Sequence, residues 1–456
     1  MAPDSPRTKP ETNRTDMHLP GRDLTARILL SLASTWPRHF VRLARRILLS
    51  GLTHDVGHGT STTPRLLVDV SIIAQHDGKS GIQRAVSALL SNLLRTPPPG
   101  WDVRAIEATR RRPYRYADSY LISHGVTPPD RPDEFVEVRP GDLFLGLDLT
   151  SRILPSRQYD LLRWRRQGVR FAFVVYDLLP AHHPHWFTPR GKKSFARWLP
   201  TIAVHGDALF CISGSVARDV RQWTTEHYGI RKDELQIDWF HLGADLSQIP
   251  DVSPKLRNQR SSGHDITILM VGTIEPRKGH DQALDAFEIL WAQGFDVNLV
   301  IVGKPGWNTA RLIARLETHS EAGRKLHWLR DATDAMLTEC YETSDGMLMA
   351  SLGEGFGLPI VEATARNLHV LARDLPVFRE IGGDHITYFS GTSADDLSSA
   401  LRDWVTRLAA GTAPDVSHAT WKTWAESAAE LGHLLETLDD RTQSPPKLGH
   451  APESPA

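Results

Sequence analysis

Two glutamates eight positions apart, Glu354 and Glu362, bracket a glycine turn, Gly355-Phe356-Gly357-Leu358-Pro359, which follows an apolar run at 347–350 and enters a helical pattern. The first N–H groups of a helix have no partner within it and sit at the positive end of its dipole, so strand, glycine turn and helix start together form an anion site. Gly355 and Gly357 let the backbone come close to that anion. A carboxylate accepts readily from sugar hydroxyls. One carboxylate before the turn and one inside the helix suit a nucleotide-sugar, with Glu354 on the transferred sugar and Glu362 on the ribose. Taken singly, Glu354 reads equally well as a turn residue and Glu362 as a solvated helix residue.

A second cluster, Thr273-Ile274-Glu275-Pro276-Arg277-Lys278-Gly279, follows the apolar run 266–272. Cations at a helix start oppose the dipole unless an anion offsets them. Arg277 and Lys278 are therefore expected to hold the diphosphate of the same ligand. In the first half of the chain, Asp77-Gly78-Lys79-Ser80-Gly81 opens a helix after a strand-like run, and alone it is an ordinary turn. Asp177 ends another such run and either orients an acceptor hydroxyl or caps a helix. Ser213 and Ser215 read as helix caps.

These residues need strands to carry them. Runs at 66–73, 101–108, 142–147, 170–179, 208–213 and 236–242 alternate with helical patterns, among them 81–95. After a polar stretch at 250–264 the alternation resumes, with strands expected at 266–272, 297–303, 326–329, 347–350, 370–373 and 386–389. This is the pattern of α/β units with parallel, doubly wound sheets, and it predicts two Rossmann-like domains with a cleft between them. The expected division is a tail and basic amphipathic segment at 1–64, an acceptor-side domain at 65–249, a linker at 250–264, a nucleotide-sugar domain at 265–438 and a tail at 439–456.

The 456 residues suffice for two full cores, and a net charge of -1 argues against a nucleic-acid partner. Cys211 and Cys340 lack the spacing of a metal site or a disulfide framework and read as free thiols in a reducing compartment. Residues 26–51 carry five arginines among apolar residues and include Pro37, so they do not read as a membrane span. They form either a basic amphipathic segment on an anionic membrane surface or helices packed on the protein itself.

The run from Glu354 to Ala363 resembles the E-x7-E signature of retaining glycosyltransferases of the GT-B fold, family 4, whose centre reads EGFGLPxxEA. Residues 269–280 resemble that family's VGTxEPRKG element. The resemblance covers roughly residues 66–438. It implies sugar transfer with retention, without a metal or other cofactor. Donor binding falls to Arg277, Lys278, Glu354, Gly355, Phe356, Gly357, Leu358, Glu362 and Gly81, and catalysis to Glu354, Asp177 and Lys278. Where many relatives carry a His before the Asp, this chain has Tyr176, and Thr273 stands where some have a further Arg. The wording is most like mannosyltransferases of exopolysaccharide, capsule and O-antigen assembly, with GDP-mannose as the preferred donor. The expected acceptor is a glycan or lipid-linked glycan, and the expected location is the cytoplasm or the inner face of its membrane. The competing readings are a UDP-sugar epimerase of the same fold and a non-catalytic scaffold subunit. A dinucleotide-binding dehydrogenase is disfavoured by the lack of a G-x-G-x-x-G after an early strand.

Overall fold

The computed structural model describes residues 20–49, 63–76, 78, 80–128, 135–244 and 266–443. Strands β1 (Arg65–Asp69), β2 (Asp102–Glu107), β3 (Arg115–Tyr116), β4 (Leu143–Gly146), β5 (Arg170–Val175), β6 (Ala208–Cys211) and β7 (Gln236–Trp239) form one sheet in the order β3-β2-β1-β4-β5-β6-β7. Only β3 runs antiparallel to its neighbour. Strands β8 (Ile266–Val271), β9 (Val297–Val302), β10 (Leu326–Leu329), β11 (Gly346–Met349), β12 (His369–Arg373) and β13 (Thr387–Phe389) form a second, wholly parallel sheet in the order β10-β9-β8-β11-β12-β13.

The residues of β5 show why the sheets form. Parallel strands covered on both faces read as unbroken apolar runs, and successive side chains point to opposite faces. Phe171, Phe173 and Val175 accordingly enter one core cluster, while Ala172, Val174 and Tyr176 enter the other. Each fully buried phenylalanine contributes about 2–3 kcal/mol of transfer free energy.

All the expected strands are present, and most stop short. The run 66–73 ends as a strand at Asp69, whose carboxylate accepts from the Ser71 N–H at 3.0 Å and turns the chain. The run 170–179 likewise ends at Val175, which leaves Tyr176 and Asp177 in the loop. The two-residue β3 is too short to show any period and has no sequence signal. The helix Gly81–Arg95 is present, with Ser80 and Gln83 forming a capping box. Asn367, just past the helix that carries Glu362, adopts φ 54°, a left-handed conformation that Asn tolerates.

The N-terminal segment forms two helices, Pro20–Thr35 and Pro37–Leu49, broken where Pro37 lacks an N–H. Ala26, Leu29, Leu30, Ala33, Val41 and Ala44 join the cluster of Trp198 and Ile202 from the helix Pro189–His205. Arg42 pairs with Glu234 at 2.9 Å, and the buried Arg45 donates to the carbonyls of Ala203, Gly206 and Glu234. This inner face therefore packs on the protein. Among the described residues no helix is long and apolar enough to cross a membrane.

The chain passes between the two units twice at one place. On the outward pass Ala244 donates its N–H to the Lys422 carbonyl of the returning pass at 2.9 Å. A side chain at Gly243 would place Cβ 2.4 Å from the Thr423 backbone, so only glycine fits. The helix Trp424–Gln443 then packs on the first unit, with Leu431, Leu435 and Leu438 in the cluster of Val86 and Leu89. It runs past residue 438, into the stretch expected to be a tail. The expected linker at 250–264, residues 1–19 and residues 444–456 lie outside the described residues.

Candidate active site at the seam between the two sheets

β8 and β11 are neighbours, and the order reverses around them, because the chain leaves β8 for β9 on its other side. The crevice beyond the carboxyl ends of such a strand pair is where open α/β sheets bind ligands. Arg277 and Lys278 follow β8 on a short 3-10 turn, Pro276–Lys278, just before the helix His280–Ala292. Glu354 follows β11. The two expected clusters thus meet across adjacent strands.

Their meeting is direct. Glu354 accepts from Arg277 at 2.8 Å, from Lys278 at 2.5 Å and from the Ser351 hydroxyl at 2.8 Å. Burial by itself would raise the Glu354 pKa, but Arg277 and Lys278 outweigh it and hold the group down to about 2. Arg277 also donates to Glu275 at 2.9 Å and to the Gly353 carbonyl at 3.2 Å. The cations expected for a diphosphate therefore already hold an anion of the chain's own. His280, at the start of the following helix, is buried and stays neutral, its pKa lowered to about 3 by burial and then by Lys278.

The first unit closes over this cluster. A Cβ at Gly355 would lie 2.0 Å from the Tyr176 carbonyl oxygen and 3.3 Å from Asp177 Cβ, so this turn approaches first-domain backbone as well as offering its own amides. The Ser213 hydroxyl, besides capping the helix Gly214–Tyr228 through the Val216 N–H, donates to the Gly355 carbonyl at 2.9 Å. Asp177 accepts from the Leu179 N–H at 3.0 Å, and burial raises its pKa against the opposing effect of Arg277. It organises the turn before the helix Leu179–His182, whose N-cap position is Leu178, and lies against the Glu354 loop. Tyr176 turns away, donating to the Leu147 carbonyl at 2.9 Å in the core, and so does not present a side chain where relatives carry a His.

Glu362 is buried and accepts from the Tyr341 hydroxyl at 2.8 Å on one oxygen and from Arg84, of the first unit, on the other. Gly357, at φ 101°, precedes the helix Leu358–Thr364, and Phe356 is buried against first-unit residues, 5.6 Å from the His241 ring. Gly81 begins its helix in open space: a Cβ there would meet nothing within 4 Å. Asp77 and Lys79 lie outside the described residues.

Several partners at this seam carry no sequence signal. Trp307, in the loop after β9, donates to the Trp186 carbonyl at 2.7 Å and stacks on Phe187. Trp186 in turn stacks on His183 with ring centres 4.0 Å apart. Glu380 accepts from the Gly214 and Ser215 N–H groups at 2.7 and 2.8 Å and meets His241 at 2.9 Å. A carboxylate from one unit thereby caps a helix of the other. Local patterning is blind to the Trp307–Trp186 and Glu380–Gly214 pairs, which join residues 121 and 166 positions apart.

Two α/β units of this topology, closing on a shared crevice, define a protein of the GT-B fold. Residues 252–407 match the family model described as glycosyl transferases group 1. The chain is 41% identical over 379 residues to the serotype-specific mannosyltransferase WbdA of Escherichia coli, covering 81% of this chain and 44% of that protein. It thus spans less than half the length of that relative. It is also similar to the phosphatidyl-myo-inositol mannosyltransferase of Mycobacterium leprae, at 28% identity over 301 residues, 59% of this chain and 76% of that one. Among solved structures, sucrose-phosphate synthase from Thermosynechococcus elongatus superposes with a TM-score of 0.58 at 16% identity, covering 83% of this chain and 100% of that one. That likeness supports the fold.

Proposed function

We propose that the chain is a retaining hexosyltransferase that moves mannose from a nucleotide-sugar, GDP-mannose by preference, to a glycan or lipid-linked glycan in exopolysaccharide, capsule or O-antigen assembly. The observation that carries this reading is the convergence of Arg277, Lys278 and Glu354 at the crevice between the sheets. In this reading the donor diphosphate takes the two cations and Glu354 turns to the hydroxyls of the sugar. Arg277 and Lys278 then stabilise the charge that grows on the departing diphosphate, which is where preorganised cations lower a barrier most. Glu362 takes the ribose as Arg84 gives way. Asp177 positions the acceptor hydroxyl from the opposite wall, and the acceptor proton passes to the leaving phosphate on the same face of the sugar, which gives retention. The mannosyltransferase relatives support the choice of sugar. A lipid-linked acceptor would bring the enzyme to the inner face of the cytoplasmic membrane.

The test is a thermal-shift series with nucleoside diphosphates and nucleotide-sugars, followed by a transfer assay whose product is read by NMR at the anomeric carbon. Stabilisation by GDP and GDP-mannose but not by UDP compounds, with the anomeric configuration kept, is the expected outcome. Stabilisation by UDP-sugars with conversion of the sugar and no acceptor would instead make the protein an epimerase.

A further inference from the structure

From residue 24 to residue 49 the sequence holds five arginines and no Asp or Glu. Two of them are held by polar groups of the first unit. Arg42 is paired with Glu234, and Arg45 is buried against backbone carbonyls. The other three, Arg27, Arg38 and Arg46, are exposed on the outer face of the two N-terminal helices. Large apolar side chains alternate with them on that face: Ile28 is 51% exposed, Trp36 55% and Leu43 44%. On the second helix and the residue before it, Trp36, His39, Leu43 and Arg46 recur every three or four positions, so they form one stripe. Arg27 lies over the ring of Tyr159, itself exposed, which extends the patch onto the first unit.

An apolar stripe left in water needs a partner, and its chemistry names one. A protein surface complementary to it would need acidic groups set among apolar ones at matching positions. A bilayer of anionic lipid offers phosphates and hydrocarbon together without any such register. We infer that the outer face of the helices Pro20–Thr35 and Pro37–Leu49 docks on an anionic lipid surface. The helices lie along the headgroup layer, with Ile28, Trp36 and Leu43 in its apolar side and Arg27, Arg38 and Arg46 on lipid phosphates. The inference deepens the lipid-linked acceptor reading and rests on it for purpose, while the contact itself needs no transfer. The inner and outer faces then divide the labour: Arg42 and Arg45 hold the helices to the protein, and the remaining arginines hold the protein to lipid.

The experiment is sedimentation of the full chain with vesicles of phosphatidylcholine alone and with vesicles in which about a third of the lipid is phosphatidylglycerol, to supply an anionic surface. The wild-type chain should sediment with the anionic vesicles and be released by salt. Trp36→Ser with Leu43→Ser, and separately Arg38→Glu with Arg46→Glu, should bind about tenfold more weakly or worse, each lost charge contact being worth several-fold. Melting temperature and the response to GDP should stay at wild-type values in both, since none of these residues touches the crevice. Absence of wild-type binding to anionic vesicles, equal binding by the variants, or a wild-type dimer that either variant dissolves would overturn the inference. A GDP response without vesicle binding sinks this surface and leaves the donor reading standing; vesicle binding without any nucleotide response does the reverse.

Discussion

Replacing Glu354 with Gln probes the charge arrangement of the crevice most directly. The wild-type carboxylate is held down to about 2 from an ordinary 4.5. At about 1.4 kcal/mol per unit, that depression corresponds to about 3 kcal/mol of folding free energy. Because the folded value lies below the unfolded one, this contribution is complete above pH 4.5 and is lost as the pH falls towards 2. The neutral amide leaves Arg277 and Lys278 as buried cations without their main counter-charge, a loss of about 3–5 kcal/mol in comparable cases. Glu275 still accepts from Arg277, which places the expectation at the lower end. Urea denaturation at pH 7 should therefore show Glu354→Gln less stable by about 3 kcal/mol, with the gap narrowing in acid below the ordinary carboxylate value. A diphosphate entering the wild-type site must displace the carboxylate, whereas in the variant it meets unpaired charge, so GDP should stabilise the variant more than the wild type while sugar transfer falls. Equal stability of the two proteins from neutral pH into acid, or a weaker GDP response in the variant, would refute this account of the site.

Lys278→Ala should lower transfer by about a hundredfold or more, the scale of removing one group that stabilises developing negative charge, measured as nucleotide release in the presence of acceptor. Gly355→Ala sets a Cβ 2.0 Å from the Tyr176 carbonyl, so the seam should open: small-angle scattering would give a larger radius of gyration with transfer reduced at least about tenfold, and an unchanged radius would count against the seam. Tyr176→Phe removes only the hydrogen bond to the Leu147 carbonyl, costing about 1 kcal/mol in chemical denaturation and leaving the transfer rate within about twofold of wild type.

The two sheets and the donor-side motifs are legible in the sequence because both are local. An apolar run bounded by a glycine turn fixes a strand end, whereas the adjacency of the strands that precede Lys278 and Glu354 is set by the sheet order. What those residues touch is not legible. The motif assigns Glu354 to a sugar, yet its partners here are Arg277 and Lys278, the very cations that the sequence sets aside for phosphate. Arg84 and Glu362 are 278 positions apart, and nothing in either neighbourhood announces the other. Tyr176 is decided by strand register: as the residue after Val175 it falls on the inner face, and its hydroxyl goes to the core. The N-terminal helices pose packing and membrane contact as rivals. The arginine pattern is compatible with both, and only the placement of each side chain separates an inner face from an outer one.

The double crossing at Gly243 and Thr423 bears on how the two units move. A single tether would let them tumble independently, and each closure would be a search over all mutual orientations. If the bond from Ala244 to Lys422 and the close approach of Gly243 to Thr423 hold during turnover, they would confine that freedom to rotation about an axis near this contact. Most of the orientational entropy of bringing Asp177 to the Glu354 loop is then surrendered once, when the chain folds, instead of at each turnover. The expected motion is that of a book whose spine is Gly243 and Thr423. Lengthening only one of the two passes should loosen the spine and reduce turnover without altering either page.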